Sequence, residues 1–267
     1  VIDDGTISRL DETTFRLTSA EPNVRWLTMN AVGLDVTIEE VSARIGALAL
    51  QGPLSRAILQ QLSPADLEKL KYFRLVQTTV RDIPVTISRT GYTGDLGYEL
   101  WVDAERAVAL WDALMSCGQN YGIVPAGIWA LDIARIEAGL VMLDVDYYSA
   151  HHALIEDQKS FPDEINLAWT VNLDKGPYNG RRALRKARGG KQAWAFVGID
   201  VDWESLERLY AKKGLPPHVP NVAWRTSVPV YRDGEQIGYA TSGCWSPLLK
   251  KSIALAHIRA PHYEPDT

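Results

Sequence analysis

Three glycines at every third position, Gly91, Gly94 and Gly97, interrupt a stretch whose two flanks both read as strand. The segment runs Ser88-Arg89-Thr90-Gly91-Tyr92-Thr93-Gly94-Asp95-Leu96-Gly97-Tyr98-Glu99-Leu100-Trp101. Glycine admits positive φ and close backbone approach, so this linker either turns tightly or lets a ligand come near the chain. No Gly-Lys-Ser/Thr follows, which excludes a Walker loop. The glycine spacing also differs from a dinucleotide fingerprint, whose loop opens a helix. Beyond the loop, strand alternation puts Tyr98, Leu100 and Val102 on one face, with Glu99 and Trp101 on the other. If the first face packs on the following helix, Glu99 stands on a partly apolar surface. There its carboxylate can accept two parallel N–H donors from a planar heterocycle, while Tyr92 offers a ring to pack against it. The plainer alternative is a solvated glutamate beside a turn.

Around this loop, helix and strand signals alternate. Strands are expected at Phe15–Thr18, Ile45–Leu50, Phe73–Val80, Pro84–Ser88 and Tyr98–Val102. Helices are expected at 23–32, at 104–117 behind an Asp103 cap, and at about 126–138, where Ile128, Leu131 and Ala138 share a face. Gly52-Pro53 reads as the opening of a helix through Leu62, and Ser63-Pro64-Ala65-Asp66 as a second helix start. Pro84 pushes its strand toward a sheet edge. After about Asp144 the chain turns polar and irregular, and then strands dominate: Leu167–Leu173, Ala195–Val201, Ser227–Tyr231, Gln236–Thr241 and Ile253–Ile258, with a hairpin turn at Arg232-Asp233-Gly234. Helix plus strand followed by a strand-rich half implies an α+β protein with unlike domains. The expected division is 1–150, a connector over 151–165, and 166–267.

Apolar residues are 46% and charged residues 23%, ordinary for a soluble chain. No apolar run approaches the roughly 18 residues of a membrane span. With 28 basic against 33 acidic residues, net −5, bulk positive charge does not serve nucleic-acid binding. Two cysteines exclude a disulfide framework and point to a reducing compartment.

Among isolated features, Asp3-Asp4-Gly5 could supply one carboxyl with a shifted pKa and one facing water, or merely a turn. Asp132 and Arg135 form an i,i+3 pair of the kind usually found on a surface or domain interface. His151-His152 lack ligands at helical spacing, so exposure is expected and no metal site. Cys244 has no His–Asp arrangement nearby to make it a nucleophile. Most of the nine tryptophans are expected in cores or interfaces.

Taken in order, several segments resemble the T-protein (aminomethyltransferase) family of the glycine cleavage system. They are Val1-Ile2-Asp3-Asp4, Leu48-Ala49-Leu50-Gln51-Gly52-Pro53, Arg89 to Leu100, and Arg135-Ile136-Glu137-Ala138-Gly139-Leu140. Gly180-Arg181-Arg182-Ala183-Leu184 and Thr241 to Pro247, continuing through Ser252-Ile253-Ala254-Leu255-Ala256, add to them. The resemblance implies a multi-domain folate-binding fold around a tetrahydrofolate pocket, ending in a β-barrel domain. It implies Asp3 as the catalytic carboxylate, acting as a positioned acid/base or electrostatic group, and Glu99 and Tyr92 as pterin-binding residues.

The activity implied is tetrahydrofolate-dependent one-carbon transfer, with a lipoyl carrier protein as aminomethyl donor. The alternatives are a demethylase that gives 5-methyltetrahydrofolate from a small O-, S- or N-methyl compound, and a non-catalytic folate-binding regulator. The chain departs from the family pattern at Leu131, where an Arg is usual, and at Ala20 and Leu143, where Asn and Tyr are usual. The family comparison also implies a domain's worth of residues before Asp3 and more strands after Pro265, so that the sequence reads as a fragment lacking both ends.

Overall fold

A computed structural model describes residues 1–190 and 192–264. The chain forms two compact units, one of Gly5–Gly127 and one of Val1–Asp4 with Ile128 onward. Both mix helix and antiparallel sheet, the α+β class the sequence implies. The strands expected after Pro265 lie outside the described residues. Among the described residues no helix is long and apolar enough to cross a membrane.

The unit Gly5–Gly127 opens with a hairpin of Ile7–Arg9 (β1) and Phe15–Leu17 (β2), in register with Ser8 opposite Arg16. Its turn is held by Asp11, whose Oδ1 accepts from the N–H groups of Thr13 and Thr14 at 2.9 and 2.8 Å. Val24–Asn30 (α1) follows. The main sheet contains Ile45–Gln51 (β3), Leu75–Val80 (β4), Ile83–Ser88 (β5) and Gly97–Asp103 (β6), in the order β3-β6-β5-β4. Ser55–Leu62 (α2) and Ala107–Gly118 (α3) pack on one face.

The period-2 reading of β6 holds, because Tyr98, Leu100 and Val102 are buried with Ile58, Leu59, Leu110 and Leu114, while Glu99 and Trp101 are only half-buried. Each such side chain contributes about 1.5–3 kcal/mol of burial free energy. Asp103 Oδ1 accepts the Glu105 N–H at 3.1 Å and starts the single 3₁₀ turn that leads into α3.

Three local expectations for this unit are corrected. The helix after Gly52-Pro53 starts only at Ser55, because Gly52 at φ +111° sets a turn first. Ser63-Pro64-Ala65-Asp66 starts no helix. Gln60 takes the Ala65 carbonyl at 2.8 Å and the Leu67 N–H at 3.0 Å, which holds the segment as a turn and sinks Leu67 into the core. Pro84 does not make β5 an edge, since β5 lies between β6 and β4. The proline is tolerated because pairing with β6 begins only at Thr86.

The second unit holds Ile128–Glu137 (α4), Arg181–Arg188 (α5), Trp194–Asp200 (β7), Trp203–Ala211 (α6), Val228–Arg232 (β8), Glu235–Ser246 (β9) and Lys251–Arg259 (β10). The strands run β7-β10-β9-β8, all antiparallel. Asp233 and Gly234, at φ +51° and +85°, make the two-residue hairpin turn between Arg232 and Glu235. The expected strand over Leu167–Leu173 is instead a 3₁₀ turn at Ala168–Thr170. Its amides are satisfied locally, Thr170 N–H to Leu167 O and Val171 N–H to Ala168 O, so no partner strand is required. The segment expected as a connector, 151–165, lies within this unit and carries short 3₁₀ turns and a buried Ile165. None of the nine tryptophans is fully buried, and Trp26, Trp111, Trp129 and Trp169 are exposed.

The largest departure concerns α4. The face it buries is Asp132, Arg135 and Ile136, whereas Ile128 is exposed. Asp132 and Arg135, expected at a surface or domain interface, are both at zero exposure. Arg135 Nε donates to Asp132 Oδ1 at 2.9 Å, and its Nη1 donates to Asp146 Oδ2. Arg225 Nε donates to Asp132 Oδ2 at 2.8 Å. Asp146 Oδ1 accepts from Thr241 and Ser242 of β9 at 2.5 and 2.7 Å, and its Oδ2 from the Met142 N–H at 2.9 Å. The carbonyl of Asp146 meets His257 Nε2 of β10 at 2.5 Å. Burying these charges is affordable only because each carboxylate is paired and multiply hydrogen-bonded.

Removing one partner of such a pair strands the others. Arg135→Met should lower stability by about 3–5 kcal/mol in denaturant unfolding. A loss below about 1 kcal/mol would mean that the network is not what holds α4 to the sheet.

Candidate functional site

In the unit Gly5–Gly127 the glycine loop has a structural reason at each glycine. Gly94 sits at φ +78°. A Cβ at Gly91 or Gly97 would lie 2.0 or 1.8 Å from Gln51 Oε1. The Gln51 amide fills that space and donates from Nε2 to Thr90 O at 3.3 Å and Tyr98 O at 3.2 Å. Close approach is therefore used, but by a side chain of the end of β3, which ties the loop to the sheet and sets where β6 begins.

Glu99 stands on β6 opposite Ala49 of β3 and Ser88 of β5. The Thr90 hydroxyl donates to its Oε2. A carboxylate only accepts, so the direction of the neighbouring bonds follows. Trp101 Nε1 donates to Ser88 Oγ at 3.3 Å, Ser88 Oγ donates to Thr90 Oγ1 at 2.9 Å, and Thr90 donates to Glu99. Each bond in such a chain polarises the next and fixes the carboxylate's orientation. Glu99 Oε1 makes no hydrogen bond among the described residues and is the oxygen left for a ligand.

Tyr92 is half-buried in the loop. A cleft of about 530 Å³, lined among others by Thr6, Arg9, Phe73, Arg74, Ser88 and Thr90, reaches the Ser88–Thr90 end of the chain of hydroxyls but is not lined by Glu99 or Tyr92. The orientation of the carboxylate, not the cleft, therefore carries the chemical argument. Sequence reasoning reached Glu99 and Tyr92 and missed Ser88 and Thr90. Their signal was their place on the strand end and loop that face β6.

In the other unit, residues 1–4 are fastened to the irregular segment. The Val1 backbone nitrogen donates to Ser160 O at 2.6 Å, and the Ala150 N–H donates to Val1 O at 2.9 Å. Asp3 is half-buried. Asp4 accepts from Tyr147 Oη at 2.6 Å. Desolvation pushes the Asp4 carboxyl above its ordinary range, the Tyr147 hydrogen bond opposes the shift, and the charge of Asp3 adds to it. The residue as a whole stays exposed, so this is a crowded carboxyl rather than a fully buried one. The sequence did not single out Asp4 as the crowded carboxyl.

Of the remaining candidates, Cys244 is buried, and burial pushes its thiol up to about 11, which makes it inert at neutral pH. His151 and His152 are exposed, with His152 Nδ1 3.7 Å from Asp144 Oδ2. Among the positions that depart from the family pattern, Leu131 and Leu143 are half-buried, Leu143 against an apolar cluster that also takes Val1, and Ala20 is exposed.

Residues 1–175 match the family model described as the GCVT N-terminal domain, and residues 214–267 match the glycine cleavage T-protein C-terminal barrel domain. An aminomethyltransferase of Halothermothrix orenii is 34% identical over 239 residues, 90% of this chain and 59% of the relative. One of Caldanaerobacter subterraneus is 36% identical over 239 residues, 89% of this chain and 57% of the relative. One of Halalkalibacterium halodurans is 33% identical over 268 residues, 98% and 66%. The chain therefore spans between 57% and 66% of the length of these three relatives. The crystal structure of glycine cleavage system aminomethyltransferase T from Bartonella henselae shares the fold at a TM-score of 0.74, with 23% identity, over 97% of this chain and 64% of that one.

The crowding of Asp4 has a measurable sign. A carboxyl whose folded pKa is raised binds its proton more tightly when folded, so its contribution to stability falls as pH rises above about 4. Asp4→Asn keeps an acceptor for Tyr147 and removes the titration. The melting-temperature gap, variant minus wild type, should widen from about pH 4 to pH 7. A gap independent of pH would place the Asp4 carboxyl in ordinary solvent.

Proposed function

The chain belongs to the glycine cleavage T-protein family, and from that premise we propose that it is a tetrahydrofolate-dependent one-carbon transferase of the aminomethyltransferase type, which moves an aminomethyl or methylene group to tetrahydrofolate. The observation that carries the reading is Glu99: a carboxylate oriented through Trp101, Ser88 and Thr90, with one oxygen left to accept. A pterin presents a ring N–H beside an amino group, an edge that a carboxylate accepts with charge assistance. Tyr92 supplies a ring for the heterocycle's face. Tetrahydrofolate, when bound, supplies the nitrogen that takes the one-carbon unit.

Asp3 is the acid/base or electrostatic group in this proposal, a carboxylate that holds or moves a proton and favours developing positive charge. The neighbouring Asp4, tied to Tyr147, supports the placement of the segment rather than the chemistry. The donor proposed is an aminomethyl group on a lipoyl carrier protein. We place the reaction in the cytoplasm, or in the mitochondrial matrix of a eukaryote, where a chain with two unpaired cysteines would be at home.

Two variants separate the roles. Glu99→Gln should weaken tetrahydrofolate binding by roughly ten- to a hundred-fold, the worth of a charge-assisted hydrogen bond, with a smaller effect on the chemical step. Asp3→Ala should lower turnover by about 10²–10⁴ while folate affinity stays close to wild type. Equal loss of affinity in both would contradict the division. Assays with aminomethyl-lipoyl carrier, following ammonia and methylenetetrahydrofolate, test the donor. Formation of 5-methyltetrahydrofolate from a methylated compound instead would make the protein a demethylase, and full turnover by Asp3→Ala would remove Asp3 from the mechanism.

A further inference from the structure

Arg16 is a residue that the reading above leaves unused. It projects from β2, and its guanidinium carbon lies 4.2 Å from the Trp101 ring centroid, a stacked cation–π contact. Its Nε and Nη2 are buried and have no hydrogen-bond partner among the described residues. Leaving buried donors of a cation unmade costs about 1–3 kcal/mol or more, so a partner is to be expected in the functional state. Nε–H and Nη2–H form one edge of the planar guanidinium and point the same way, the fork that arginine presents to oxygen.

Glu99 shares the β6 face with Trp101, on which Arg16 lies. Burial lowers the pKa of Arg16, and the charge of Glu99 opposes that shift. The two are near enough to feel each other, yet Arg16 makes no hydrogen bond through Nε or Nη2 to the carboxylate. One neighbourhood therefore offers an acceptor edge and a donor edge that do not quench each other. A free anion would satisfy Arg16 but would be repelled by Glu99. A neutral planar ring with N–H donors on one edge and a ring carbonyl beside them satisfies both, because the carbonyl oxygen has two lone pairs for the fork.

We propose that Arg16 is a ligand-reading residue: it takes the ring carbonyl of the same heterocycle whose N–H edge Glu99 accepts, and so selects 2-amino-4-oxo over 2,4-diamino pteridines. The inference rests on the folate reading. An amino group at the 4-position would set N–H donors against those of Arg16, and this adds to the loss at Glu99, because the 4-amino ring carries no N–H at N3.

The test is equilibrium binding of tetrahydrofolate and its 4-amino-4-deoxy analogue, read by tryptophan fluorescence, to this chain and to Arg16→Leu, Arg16→Lys and Glu99→Gln. Wild type should prefer the 4-oxo ligand. Arg16→Leu should weaken 4-oxo binding about ten- to a hundred-fold and 4-amino binding by less than about threefold, so that the preference narrows by about that ratio while the part set by Glu99 stays. Arg16→Lys, which keeps the charge but loses the fork, should resemble Arg16→Leu. Thermal melts should show Arg16→Leu folded and no less stable, because two orphaned donors are gone.

The proposal fails if the Arg16 variants weaken both ligands equally or leave the preference intact. If Glu99→Gln nevertheless weakens tetrahydrofolate binding, the folate reading stands and only the assignment of Arg16 falls. If wild type binds neither ligand, both fall together.

Discussion

Asp146 is the residue on which the larger unit depends. Its carboxylate accepts from Arg135 of α4, from Thr241 and Ser242 of β9 and from the Met142 backbone, and its carbonyl meets His257 of β10. A helix, two strands and an irregular segment are thus joined at one side chain. The next residue, Tyr147, is buried and donates to Asp4. The position of the Asp3-Asp4 pair therefore follows from the same buried network. Placing charge at this point costs desolvation, which the pairing offsets, and what the arrangement gains over an apolar contact is direction. Only one rotation of α4 aims Asp132 and Arg135 at these partners.

The other unit reaches the same end with uncharged donors. Gln51 fills the space left by Gly91 and Gly97 and fixes the loop, while Trp101, Ser88 and Thr90 fix the Glu99 carboxylate. A carboxylate oriented in advance binds without first losing rotamer freedom, which is where preorganisation gains affinity. Tyr98, Leu100 and Val102 hold the other face of the same strand in the core. Strand alternation thereby couples the stability of the sheet to the aim of Glu99.

How much of this was legible in the sequence depended on whether a local signal had a local cause. Alternation along β6 is such a signal, and it put Glu99 on the half-buried face because Tyr98, Leu100 and Val102 take the other face into the core. The Asp233-Gly234 turn was legible for the same reason, since positive φ is written in the residue types. Asp132 and Arg135 were not, because their partners Asp146, Arg225, Thr241 and Ser242 are scattered along the chain, and charged residues at i,i+3 spacing read as a surface or domain-interface pair. The Ser63 cap misled because Gln60 captures the backbone groups a helix would have used. Leu167–Leu173 misled because apolar content alone does not separate a strand from a 3₁₀ turn. At the site, Glu99 and Tyr92 came from motif and pattern together. Thr90, Ser88 and Arg16 needed the fold, since β2, the loop and β5 meet β6 only in three dimensions.

The account's central claim is that Glu99 accepts the donor edge of a folate heterocycle, and a structure of this chain with a reduced folate bound tests it most directly. The pterin amino and ring N–H groups should lie within about 2.7–3.2 Å of the Glu99 carboxylate, with Thr90 still donating to it. A pterin seated elsewhere, with Glu99 touching no part of it, would contradict the claim.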